Sequence, residues 1–296
     1  MELSFNAEDI RLAENYLVQN DYEHAMPLLE ELRESMELYI DAECETTDKK
    51  QFFAFDSTFE RLAYRRVEND PRELVQVPQS FGWVYYCLAR GYVMEANDLE
   101  RARDMLMQAV RWNPMNCSYR LQLAEVFREL GNTQEWAQLS HSVLERASDA
   151  ESMAWAYANL GQFFLEDGDS VPAAVGCARL GLRLAPQNGN VQGLVDRLHE
   201  EQPDACIDSD EHALNVLAME GVPTSPSAEI AVCLIMCASD AMNAGDRNEA
   251  TRLTVRARDL VGQEACEALI KLVHESDAEL AQKQPGDGAT AQKSEA

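Results

Sequence analysis

The chain has 296 residues, 46% of them hydrophobic, enough for a substantial core. Its formal net charge of -27 excludes nucleic-acid backbones and anionic membranes as ligands, since both are repelled at long range. The charge favours a basic partner, and it serves equally as a solubility device on solvated faces. Met1 to Asp9 lack a positive segment followed by an apolar core, so they do not read as a secretory signal, and no apolar run reaches membrane-spanning length. Eight cysteines without CxxC spacing predict buried, reduced thiols of a cytoplasmic protein, with no zinc site.

Residues 6–40 read as a helix pair. Leu12, Ala13 and Tyr16 share one helix, Asn20 marks the turn, and Ala25, Leu29 and Leu32 form an apolar stripe on the next, which Asp21 starts. Residues 46–81 interrupt this pattern with Phe52-Phe53-Ala54-Phe55, a short helix from Ser57 to Val67 bearing Arg61, Arg65 and Arg66, and a connection holding Pro71 and Pro78. Its aromatic rings either cover the gap between the first and second helix pairs or belong to a binding face.

The pattern returns three times without interruption. Residues 82–113 carry Tyr85, Leu88, Ala89, Tyr92, then Ala102, Leu106 and Ala109; residues 117–147 carry Leu123, Ala124, Phe127, then Trp136, Ser140 and Val143. The clearest copy, 152–185, has Tyr157, Leu160, Gly161, Phe164, then Ala173, Cys177 and Leu180. Leu160 with Phe164, and Leu123 with Phe127, lie one helical turn apart, while Gly161 and Ala124 let a second helix approach closely. Gly131 and Gly168 fall where the first helix of a pair must end, which predicts a left-handed conformation at both. Asn113-Pro114 and Ala185-Pro186 stop the second helices, because proline restricts the residue before it and cannot continue a helix interior. Asp98 starts a helix, and Asp246-Arg247-Asn248-Glu249 has capping-box spacing.

Residues 187–275 are less regular. Val191, Leu194, Val195 and Leu198 keep helical spacing in 189–201, as do Ala213, Leu214, Leu217 and Ala218 in 209–220. A turn-rich stretch, 221–227, precedes a last pair at 228–243 and 247–261 and a closing helix at 263–275 that covers its apolar face. Residues 276–296 read as a disordered tail of small, polar and glycine residues.

The recurring residues resemble the tetratricopeptide repeat, a helix-turn-helix unit of about 34 residues. The resemblance implies an all-α fold: an α-solenoid of stacked helix pairs forming a right-handed superhelix, with an insertion at 46–81 after the first repeat (1–45), three clear repeats at 82–186 and degenerate ones at 187–275. It also implies that first helices line a concave groove gripping a partner. Carried over by position, the groove residues are Trp83, Tyr86 and Arg90; Leu121, Gln122, Glu125 and Arg128; and Trp155, Ala158, Asn159 and Gln162. Helical geometry agrees, since Trp83, Tyr86 and Arg90 lie three and four residues apart on a face distinct from Tyr85, Leu88 and Tyr92. The clamp of lysines and asparagines with which such repeats hold the acidic C-termini of chaperones is missing, its positions being filled by Ile10, Glu14, Tyr86 or Cys87, and Leu121. Arg90, Arg128, Asn159 and Gln162 are the groove-facing donors, and they suit a protein or peptide of mixed or basic character.

No catalytic signature is present: glycines occur singly at turns, HExxH and GxSxG are missing, and the five histidines are scattered. Asp208-Ser209-Asp210-Glu211-His212 reads as an acidic helix start rather than a calcium loop. The reading is therefore a non-enzymatic interaction scaffold without cofactor or metal, and the competing one is an assembly protein that self-associates through its repeats.

Overall fold

A computed structural model describes residues 3–168, 170–206 and 209–283. The chain is predominantly α-helical. The first pair is α1 (Ala7–Val18) and α2 (Tyr22–Glu43), followed by β1 (Lys50–Phe53), α3 (Thr58–Glu68) and β2 (Glu73–Gln76). Then come α4 (Phe81–Gly91), extended by a π-helical turn at Tyr92–Ala96, and α5 (Leu99–Trp112), α6 (Cys117–Glu129), α7 (Thr133–Leu144), α8 (Ala150–Glu166) and α9 (Val171–Leu184). The C-terminal part holds α10 (Gly189–Glu201), α11 (Asp210–Met219), α12 (Ala228–Asn243), α13 (Arg247–Val261) and α14 (Gln263–Lys283).

Helix ends follow local chemistry. Asp21, Asp98 and Asp246 each accept a hydrogen bond from the backbone N–H three residues on, at 3.3, 3.1 and 3.0 Å. At Asp246 only half of the expected capping box forms, because Glu249 turns to Arg252 instead. Gly131 has φ +80° and ends α6 in the left-handed conformation. Gly168 does not adopt a positive φ; its smallness is needed instead for close approach, since a Cβ there would lie 2.8 Å from Phe164 Cδ1.

From α4 to α9 each helix packs on the one before it, and α4 packs back on α2. Trp136, Tyr157, Leu123 and Leu160 are buried along these contacts. The segment 46–81 is not wholly helical: β1 and β2 form a parallel pair with Gln51 opposite Leu74 and Phe52 opposite Val75, and α3 is their crossover. The strands arise because Phe52-Phe53 and Leu74-Val75 are short apolar runs that alternate between two neighbours. Phe52 joins the core of α1, α2, α4 and α5, whereas Phe53, Phe55 and Phe59 join the core of α6 to α9. Ala54 N–H donates to the Trp112 carbonyl at 2.8 Å and Arg111 donates to the Phe52 carbonyl at 3.1 Å, tying the segment to the end of α5. The rings thus bridge two cores as well as a gap.

The C-terminal part departs from simple stacking. Leu194 and Val191 of α10 fill the spaces over Gly161 and Gly181, and Leu217 of α11 lies over Gly176. Thus α10 leans on α8 and α9, and α11 on α9. The chain then turns back: His141 Nε2 hydrogen-bonds the Gly221 carbonyl at 3.1 Å, and Tyr157 donates to the Pro223 carbonyl at 2.7 Å. Helix α12 packs on α3, where Arg66 donates to Glu229 Oε2 at 3.1 Å, and Arg256 of α13 lies over the Phe59 ring and donates to the Ser148 carbonyl. The closing helix α14 packs on α12 and α13 and runs to Lys283, correcting the expected tail boundary at 276. The rest of the expected tail, 284–296, lies outside the described residues.

Candidate partner-binding groove

The face assigned from sequence is carried by α4, α6 and α8, and the structure divides its residues into two groups. Three are buried in the interior, and a fourth, Arg128, is half-buried and engaged by its neighbours. Leu121 is 1% exposed and shares a core cluster with Phe53, Phe55 and Met115, because the strand segment covers its side of α6. Ala158 is fully buried with Ala154, Ala185 and Val191, on the side that receives α10. Asn159 is 2% exposed and donates to Ser140 Oγ of α7 at 3.2 Å, so a polar residue expected to meet a ligand satisfies a neighbouring helix instead. Arg128 donates to Glu166 at 2.9 Å and lies over the Trp136 ring at 4.5 Å; Glu166 also receives Arg197. Its charge is spent inside the fold.

Seven residues remain on a partly open surface. The Trp83 and Tyr86 rings stack with centroids 5.1 Å apart, and Tyr86 continues onto Tyr119 of α6 at 5.2 Å, making a column of three rings from α4 to α6. Burial pushes the Tyr86 phenol up, so it stays protonated at neutral pH. Trp155 Nε1 donates to Glu125 Oε1 at 3.3 Å, joining α8 to α6. Burial raises the Glu125 carboxyl from its ordinary range, while hydrogen bonds from Asn159 and Trp155 and the charge of Arg128 act in the opposite direction. Gln122 and Gln162 are half-buried. Arg90 is exposed and has neither ion pair nor hydrogen bond among the described residues.

A cavity of about 110 Å³ opens beside Arg90, walled by Tyr86, Ala89, Val93, Met94, Leu106 and Val126. Arg90 and Gln122 supply its polar lining. Val93, Met94, Leu106 and Val126 were not among the residues predicted from sequence. Val93 and Met94 belong to the π-helical turn at Tyr92–Ala96, which Asn97 ends with φ 50°, while Leu106 and Val126 come from α5 and α6. The signal lies in the spacing: Tyr92 to Ala102 is ten residues, where Tyr16 to Ala25, Phe127 to Trp136 and Phe164 to Ala173 are nine. A π turn absorbs one extra residue without breaking a helix, and such turns are frequent at functional sites.

The thiols do not offer a reactive centre on this face. Burial pushes Cys87, Cys117 and Cys233 up to about 12, which keeps them as neutral thiols; Cys206, in contrast to the expected burial, is exposed. Among the described residues no three acidic, histidine or cysteine side chains converge as a metal site, and no helix is long and apolar enough to cross a membrane. No protein-family model matches the chain, and no curated protein matches it either.

Proposed function

We propose that the chain is a non-enzymatic, cytoplasmic interaction scaffold: a right-handed α-solenoid of tetratricopeptide-like helix pairs that holds a peptide or helix of a partner protein against α4, α6 and α8. One observation carries this reading. The ring column of Trp83 and Tyr86, with Arg90, Gln122, Glu125, Trp155 and Gln162, leaves aromatic and polar groups partly open along α4, α6 and α8, while neighbouring residues of the same helices are consumed by internal contacts. Rigid aromatic anchors next to adaptable donors are what binding surfaces concentrate. The overall charge of -27 favours approach of a partner whose own net charge is positive.

Affinity capture from source lysate, with the full chain compared with a Trp83→Ala, Gln162→Ala variant of unchanged far-ultraviolet circular dichroism, tests the assignment. The reading predicts a set of proteins recovered by the parent chain and lost by the variant. Equal recovery overturns it.

A further inference from the structure

The ten-residue spacing of the α4–α5 pair and the unpaired guanidinium beside it meet at one place. The π turn sets Val93 and Met94 against Leu106 and Val126, leaving a cavity of about 110 Å³. Small-molecule sites span roughly 300–1,000 Å³, so this one is the size for a single aliphatic side chain. Met94 stands 65% exposed at the cavity, a flexible apolar group with no cover.

Arg90 decides what accompanies that side chain. Arg90 is exposed beside the cavity and makes no ion pair among the described residues, although the chain carries 52 aspartates and glutamates against 25 lysines and arginines. On this face Arg128 is neutralised by Glu166, and Glu125 is engaged by Trp155 and Asn159. In the cavity lining itself the charged side chain is Arg90, opposite in sign to the molecule as a whole.

Resting on the groove reading above, we propose that the Arg90 subsite recognises a short partner segment in which one aliphatic side chain, seated between α4, α5 and α6, adjoins an aspartate or glutamate that pairs with the guanidinium. Long-range attraction then selects a partner that is basic overall, and the contact itself selects an acidic-aliphatic pair within it. An arginine aimed at a carboxylate supplies directional, charge-assisted bonds that a lysine would not reproduce as well.

The test is a selection of a random dodecapeptide display library on the full chain, followed by fluorescence anisotropy with the most enriched peptide. The proposal predicts enrichment of Leu, Ile, Val or Met next to Asp or Glu. Replacing Arg90→Glu should weaken that peptide about tenfold or more, and the same peptide with its acidic residue changed to lysine should regain affinity for this variant. Met94→Ala, at an exposed position, should weaken binding less, and both variants should keep the parent's circular dichroism. Peptides without the acidic residue, or with affinity indifferent to Arg90→Glu yet lost on Trp83→Ala, overturn the subsite and leave the groove standing. No enriched peptide sensitive to any of these substitutions overturns both.

Discussion

Helices α4 to α9 and the C-terminal pair α12–α13 are built from the same kind of amphipathic helix, yet they are held in different ways. In the first region each helix rests on its sequence neighbour, with Trp136 and Tyr157 at 0% and 1% exposure between them. In the second, α12 and α13 also pack on each other, but the pair is tied to the rest of the molecule by α12 on α3 and by Arg256 on Ser148, across 108 residues of sequence. Contacts between adjacent helices close short loops and form together; a contact across so many residues requires the rest of the fold to exist first. The central helices should therefore behave as one cooperative unit and the C-terminal pair as a separable one.

The largest effect should come from Trp136→Ala, which empties a fully buried site in the central region. Such truncations cost about 3–5 kcal/mol, and urea denaturation should show loss of the whole helical signal at lower denaturant. Phe59→Ala, at the junction of α3 with the C-terminal pair, should cost about 3 kcal/mol locally. Hydrogen exchange should then rise across α12 and α13 while α6 to α8 keep their protection; uniform exchange along the chain would remove the distinction between the two regions.

A smaller effect is expected at Glu60, whose carboxyl is pushed up by burial first and then by the charge of Asp56; Asn113 donates to it at 3.1 Å. A carboxyl with a raised folded-state pKa contributes stability that is fully present below its unfolded value near 4.5 and is lost as pH rises through the folded value. Protection factors in 50–60 should thus fall as pH climbs above about 4.5, and Glu60→Gln should flatten that slope. The smallest effect belongs to Arg66→Ala. Its pair with Glu229 is 39% and 55% exposed, so loss should cost at most about 0.5 kcal/mol and vanish in high salt. A larger cost would mean that the ion pair, rather than Phe59 and its neighbours, holds the C-terminal pair in place.

Much of the candidate surface was legible. Trp83, Tyr86 and Arg90 were separable from Tyr85, Leu88 and Tyr92 by helical spacing, and they do lie on a partly open face. Leu121, Ala158 and Asn159 had equally suitable spacing and are buried: the strand pair and α10, whose positions no local pattern encodes, cover the first two, and Asn159 turns to the preceding helix α7 instead of outward. The cavity beside Arg90 was half legible, since the extra residue between Tyr92 and Ala102 is visible in the spacing but its conformation, a π turn rather than a longer loop, is not. The strands are not legible because four-residue segments such as Lys50–Phe53, with two apolar residues each, carry no period that distinguishes them from a helix end.

Sequence by itself determined where helices begin and end and which stripe each turns inward, from Asp98 and Asp246 as caps to Gly131 as a stop and Leu160 with Phe164 as a stripe. These are interactions within a few residues, so their chemistry is written locally. Tertiary structure alone decided that α12 lies on α3, that the strand pair covers Leu121, and that Arg90 faces solvent without a carboxylate. Those outcomes depend on which of several similar apolar faces meet, a choice made by shape and summed weak contacts between residues far apart in the chain.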